Sequence, residues 1–243
     1  MNMNTANERV SPGALQQLAE SVLAAHGLNA DDARDTAAIL VLADLFGLST
    51  HGVSRLVSYT DRLRLGGINA QAQIQVQALA PALLRIDADN AVGPLVGHRA
   101  MTAAMQAAEQ TGVALALVHG SNHFGPVAPY CHLAAQAGFA SIMASNATLS
   151  ITPWGGKQTR LGNNPIGFAV PNPGGHPVVL DMALSVAARA KIRNAAKAGV
   201  PIPEGWATDA NGQPTTNAAE ALKGFLLPVG GHKGYGFAIL VDL

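Results

Sequence analysis

The sequence predicts an α/β fold with a helical N-terminal part and a central mixed α/β part. Three observations predict it. Up to residue 67, apolar side chains recur at helical spacing between glycine stops. From residue 74 onward, short apolar runs alternate with helical stretches. Between 145 and 184, glycine and proline turns separate further short strands.

The elements follow in order. Residues 1–8 read as a disordered tail. Ser11-Pro12 opens the first helix: a hydroxyl caps free N–H groups, and proline at the first helical position has no N–H to leave unpaired. Leu15, Leu18, Val22 and Leu23 carry that helix to Gly27. Asp31-Asp32 set carboxylates at the positive end of a second helix, which runs through Ile39, Leu40 and Leu42 to Phe46 and stops at Gly47. A third helix is expected from Ser49-Thr50, through Leu56 and Leu63, to Gly66-Gly67. Ile74, Val76 and Ala78 alternate with glutamines, the period of a half-buried strand, and a second strand is expected over 82–87. An alanine-rich helix spans 93–111, and the continuous apolar run 113–118 reads as a buried strand. A helix over 126–137 and strands over 140–144, 166–170 and 178–182 come next. A helix over 185–198, a turn at 209–212 and an apolar helix from Tyr235 complete the chain. The expected organisation is a helical part over 9–80, packing with 232–243, and an α/β part over 81–231.

Composition narrows the function. Of 243 residues, 49% are apolar, enough for a sizeable core, and 12% are charged, about half the usual share, which argues against a disordered chain. Fifteen basic residues balance fifteen acidic ones, so there is no excess positive field for non-specific nucleic-acid binding. The longest apolar run, 37–43, is far short of the ~20 residues of a membrane helix, and the polar N-terminus lacks a signal-peptide pattern. A cytoplasmic protein with no nucleic-acid or membrane partner is expected. The single cysteine, Cys131, excludes an intrachain disulfide framework. Light surface charge favours burial in an oligomer.

Four segments hold candidate chemistry. In Ser49-Thr50-His51-Gly52-Val53-Ser54-Arg55, His51 and Arg55 would share one face of a helix. A guanidinium grips a carboxylate by two parallel hydrogen bonds, and an imidazole beside it exchanges the proton of a carbonyl/alcohol pair. The same short pattern also occurs at an ordinary exposed helix start. His119-Gly120-Ser121-Asn122-His123-Phe124-Gly125-Pro126 follows a strand, where α/β folds bind ligands. His119 and His123 have the spacing of metal ligands on a helix, but the glycines and proline indicate a loop, and no metal is expected. Gly230-Gly231-His232-Lys233-Gly234 offers open backbone N–H groups and a cation for a phosphate. Asp181-Met182-Ala183 ends a strand and runs toward a helix whose N-terminus suits a pyrophosphate. No GxGxxG occurs, so the Rossmann fingerprint is missing.

The segments LFGLSTHGVSRL, GSNHFGP, PWGG, LGNNPIGFAVP, LDMALSVAARAKI, IPEGWATDANGQPTT and LLPVGGHKGYGFA occur in one order over residues 10–243. Together they resemble the malate/L-lactate dehydrogenase family of NAD(P)-dependent oxidoreductases. That family includes ureidoglycolate and sulfolactate dehydrogenases, diketo-gulonate reductase and piperideine-2-carboxylate reductase. The resemblance implies a non-Rossmann NAD(P)-binding fold, in keeping with the missing fingerprint, and a homodimer or larger assembly. It implies NAD or NADP as cofactor and a small carboxylate substrate, with hydride transfer at C2 of a 2-hydroxy, 2-oxo or imino acid. It places His51, Arg55 and Ser49 at the substrate. His51 is taken as the proton donor, with His123 of the SNHFG segment as the competing acid/base. Asp181, Met182, Ala183, Gly231, His232 and Lys233 fall at the cofactor, and Asn163-Asn164-Pro165 at a conformationally demanding turn nearby. Many family members read DMATS where this chain has DMALS, and family chains continue beyond the GYG segment, so a chain lacking the C-terminal part is expected. The alternatives are a catalytically silent chain that only binds ligand or oligomerises, and a metal-dependent hydrolase using His119 and His123.

Overall fold

The structure, a computed structural model, describes residues 9–243, and the tail expected over 1–8 lies outside the described residues. Ser11 caps α1 (Pro12–Ala25), its Oγ accepting the Ala14 N–H at 3.2 Å. Asn29 caps α2 (Ala30–Leu45) by accepting the Asp32 N–H at 2.9 Å, with Asp31 and Asp32 in the first turn as the dipole requires. The Asp32 carboxylate then takes Arg99 as its ion-pair partner.

The third helix starts later than its spacing predicts. Residues 49–52 form turns and bends, Val53–Arg55 a single 3-10 turn, and α3 covers Leu56–Arg64. The cause lies in α2. Asp44 Oδ2 accepts the Val53 N–H at 2.8 Å, and a Cβ on Gly52 would stand 2.2 Å from that carboxyl group. The backbone is thus drawn onto Asp44 before it can wind into a helix. Ala19, Leu23, Leu40, Tyr59 and Leu63 fill the core between α1, α2 and α3.

A three-stranded sheet follows in the order β1-β2-β3: β1 (Gln75–Ala80), β2 (Leu83–Asp87) and β3 (Leu115–His119). The first pair is antiparallel and the second parallel, with α4 (Gly93–Thr111) as the crossover. Two burial expectations fail here. β1 is exposed along its length, and in β3 Leu115 and Leu117 are 55% and 51% exposed. Both are edge strands, so only the central strand buries Leu84 and Ile86. α5 (Ala128–Gln136) ends this part of the chain.

Two compact units emerge: one runs to Ala140 and takes in Val170–Pro177, the other comprises Ser141–Ala169 and Val178–Leu243. A division at residue 80 therefore falls inside the first unit, because α4 packs on both α2 and β3.

In the second unit β4 (Ser141–Ala144) is followed by β5 (Leu149–Ile151) and β6 (Leu161–Gly162), which pair antiparallel. β7 (Ile166–Val170) lies between β4 and β8 (Val178–Met182) in a three-stranded sheet. The helix expected from residue 185 begins only at α6 (Arg189–Ala198), because Ser185 and Val186 extend to pair with Pro228 and Leu227. α7 (Ala218–Lys223) and α8 (His232–Asp242) follow. Ile151, Leu161, Ile192, Leu226 and Ala238 form this unit's core, with α8 contributing Ala238 to it.

Candidate active site

His123 sits on the loop between β3 and α5, and α3 reaches it. The Tyr59 hydroxyl lies 2.8 Å from His123 Nδ1 and 3.2 Å from the His123 carbonyl oxygen. Both contacts are satisfied at once when Tyr59 donates to the carbonyl and accepts from Nδ1–H. That tautomer leaves Nε2 with a lone pair. Behind the loop, α4 begins so close that a Cβ on Gly93 would stand 2.3 Å from the His123 carbonyl oxygen and 2.4 Å from that of Asn122. The loop is therefore held between α3 and α4.

The electrostatics follow from this placement. His123 keeps an edge open to solvent, but the ring is desolvated on its inner side, and that lowers its pKa most. Arg55, then His51, then Arg62 add positive charge and lower it further, from 6.5 to about 4. Burial raises the Tyr59 pKa above its usual value despite Arg55 and Arg62, so the phenol stays protonated. At neutral pH the pair is a neutral imidazole and a neutral phenol.

His51 lies beside it, the two imidazoles stacked with centroids 5.8 Å apart and planes 21° apart. Thr50 Oγ1 is 2.8 Å from His51 Nδ1. Arg55 Nε donates to the Thr50 carbonyl at 2.6 Å. The shared helix face expected for His51 and Arg55 is not formed. His51 lies on a bend ahead of the 3-10 turn, so the two do not share a face of an α-helix. Ser49 is exposed, and its carbonyl accepts the Ser54 hydroxyl at 2.6 Å. His119 ends β3 and faces Asp87 at 3.9 Å, and no cluster of three or more metal-ligating side chains occurs among the described residues. Tyr59, Asn122 and Arg62 were not singled out from the sequence. The available signal was that Tyr59 and Arg62 follow Arg55 at four and seven residues, the spacing of a helical stripe.

In the second unit, Val229 N donates to the Leu184 carbonyl at 2.9 Å and Val186 N to the Leu227 carbonyl at 2.8 Å. This antiparallel stitch ties the segment after Asp181, Met182 and Ala183 to the segment before Gly231, His232 and Lys233. Gly230 and Gly231 both have positive φ, 62° and 65°, and a Cβ on Gly231 would approach the Trp154 ring to 3.2 Å. His232 meets that ring edge-on, with centroids 6.0 Å apart. No side chain caps α8, which leaves its leading N–H groups open beside the exposed Lys233. Open N–H groups beside a lysine are the chemistry that holds a phosphate. The helix N-terminus expected after Ala183 is not there, since α6 begins at Arg189. Asn164, fully buried at φ 28°, accepts the Ala147 N–H at 2.9 Å and donates to the Ala238 carbonyl at 2.8 Å, fixing the demanding turn against α8.

Residues 10–243 match the family described as malate/L-lactate dehydrogenase. The chain belongs to this family. Among its relatives are a malate/(S)-sulfolactate dehydrogenase of Methanothermus fervidus, 35% identical over 96% of this chain and 69% of that protein. A ureidoglycolate dehydrogenase (NAD(+)) of Escherichia coli is 35% identical over 97% of this chain and 67% of that protein. Solved family structures superpose closely. Sulfolactate dehydrogenase from Methanocaldococcus jannaschii gives a TM-score of 0.91 at 38% identity, covering 96% of this chain and 68% of that one. Delta1-piperideine-2-carboxylate reductase from Pseudomonas syringae gives 0.92 at 31% identity, covering 97% and 71%. The α/β fold expected from the resemblance is thus shared with solved structures of the family.

Proposed function

We propose that this family oxidoreductase uses His123 as its acid/base residue and Arg55 as the clamp for the substrate carboxylate, with His51 beside them. The observation that carries the reading is the Tyr59–His123 pair, which holds a neutral imidazole with Nε2 left to exchange a proton. The family's NAD(P)-dependent chemistry is hydride transfer at C2 of a 2-hydroxy or 2-oxo acid, or of an imino acid. The relatives' names include malate, sulfolactate, ureidoglycolate and piperideine-2-carboxylate, and each places a carboxylate beside the reacting carbon.

In the oxidative direction, His123 Nε2 takes the hydroxyl proton while the C2 hydrogen leaves with its electron pair. In reduction, the protonated imidazole returns that proton to the alkoxide or amine nitrogen. Arg55 fixes the carboxylate bidentately and so orients C2. The bound carboxylate also offsets the Arg55 charge, one cause of the low His123 pKa, and thereby raises that pKa toward a proton donor's. NAD or NADP supplies the hydride acceptor or donor when bound. Asp181, Met182, Ala183, Gly231, His232 and Lys233 would hold it, with the uncapped start of α8 and Lys233 facing its phosphates. A homodimer or larger assembly and a cytoplasmic location belong to the same reading; a single cysteine, Cys131, leaves no intrachain disulfide to form and suits a reducing compartment.

The test is turnover of 2-oxo acids and a cyclic imino acid with NADH and with NADPH, followed at the nicotinamide absorbance. Oxidation of the nucleotide with at least one carboxylate is expected. No turnover with any acid, alongside measurable nucleotide binding, would leave a silent ligand-binding chain instead.

A further inference from the structure

We propose that Arg62 is a positioning residue for His123 and acts through Asn122. The inference rests on the reading of His123 as the acid/base. Arg62 lies in the last turn of α3 and is exposed. Its Nη2 donates to Asn122 Oδ1 at 2.7 Å and to the Gly67 carbonyl at 3.1 Å. Capping the helix end accounts for the second bond but not for the first.

Asn122 immediately precedes His123, and its amide spans two elements. While Oδ1 faces Arg62, Nδ2 lies 3.0 Å from the Asn90 carbonyl, 2.8 Å from Asn90 Oδ1 and 2.9 Å from the Ala91 carbonyl, just ahead of α4. Arg62 and Tyr59 are three residues apart, so one face of α3 grips two successive loop residues. The loop needs this hold. Gly120 and Gly125 stand at φ 68° and 84°, and glycines at such points do not stiffen a loop themselves. Four ionisable groups surround the His123 ring: Arg55, His51, Arg62 and Tyr59. Arg62 alone of the two arginines also holds the loop through Asn122.

The experiment compares Arg62→Gln, Arg62→Lys and Asn122→Ala in the 243-residue chain. The readouts are the NMR titration of the His123 C2 proton without ligand, kcat and KM, and Tm. Arg62→Gln and Asn122→Ala should lower kcat about 10- to 100-fold through loop displacement, with KM for the acid little changed. Arg62→Gln should also move the His123 midpoint slightly up from about 4, since Arg62 is the smallest of the causes that lower it, while Arg62→Lys keeps it low and recovers part of kcat. A wild-type titration and wild-type kcat in Arg62→Gln would overturn the proposal. So would losses of kcat that only follow Tm, with no change in the midpoint. If the unaltered chain shows no turnover, the functional reading fails, and the titration of the variants still decides whether Arg62 governs His123.

Discussion

His123 and His51 carry imidazoles 5.8 Å apart, and their surroundings make them unequal. His123 is tied through Nδ1 to a phenol that cannot ionise at neutral pH, whereas His51 is tied to the hydroxyl of its own neighbour on a bend. His123→Ala should therefore cost kcat by about 10²–10⁴, the usual worth of general acid–base catalysis. His51→Ala should cost less and act mainly on KM. The reverse order, measured in the pair of single variants, would exchange the two roles. A base with its pKa lowered from 6.5 to about 4 stays neutral as pH falls through 6.5. For oxidation of the hydroxy acid, kcat/KM should hold level to pH 5 and fall only near 4, since proton binding removes the active form. A fall centred near 6.5 in the pH profile would assign the proton to an unperturbed imidazole. Arg55→Lys keeps the charge but loses the two-pronged bond, a loss of about 1.5–3 kcal/mol for a charged hydrogen bond. The expected result is a higher KM for every acid at unchanged nucleotide affinity. An unaltered KM would remove Arg55 from the site.

At the scale of elements, the site depends on how closely α4 and the His123 loop approach. No side chain fits at Gly93, where a Cβ would meet the Asn122 and His123 backbone at 2.3–2.5 Å. Gly93→Ala must push the loop from α4 and pull His123 out of line with Tyr59. The expected outcome is a lower Tm together with a drop in kcat; wild-type values of both would show that the loop yields without consequence. Backbone groups give way less readily than the end of a flexible side chain, so this contact is a firmer constraint than most. The edge strands show the opposite case. β3 is apolar from Leu115 to Val118 yet largely open, because a strand's burial depends on what covers it and not on its own composition.

For the whole molecule, surface apolarity sets the expectation of self-association. On the sheet of the second unit, Ile142 and Phe168 face each other across β4 and β7 and are 77% and 41% exposed. Side chains of that size in a row on one sheet face are unusual on a monomer's surface. Sedimentation equilibrium should give a mass well above the 24.9 kDa of one chain, and Ile142→Ser with Phe168→Ser should shift the population toward that mass. A single-chain mass for the unaltered protein would remove the homo-oligomer from the proposal.

Much of the helical N-terminal part could be read directly, because caps and glycine stops are local. Ser11, Gly27 and Gly47 act through bonds and dihedral angles within a few residues of themselves. The ordered motifs likewise determined the family, since each constrains the backbone or chemistry at its own place. Tertiary structure decided what depends on distant partners. Asp44 bends the chain at Gly52 and so delays α3; Leu227 and Pro228 hold residues 185–186 extended and delay α6. The Tyr59–His123 and Arg62–Asn122 bonds join residues 64 and 60 positions apart, beyond the reach of any periodicity. The sequence by itself determined that His51, Arg55 and His123 were the residues to compare. The fold decided that the His123 imidazole is desolvated and held, because desolvation and neighbouring charge belong to the surroundings of a side chain and not to its identity.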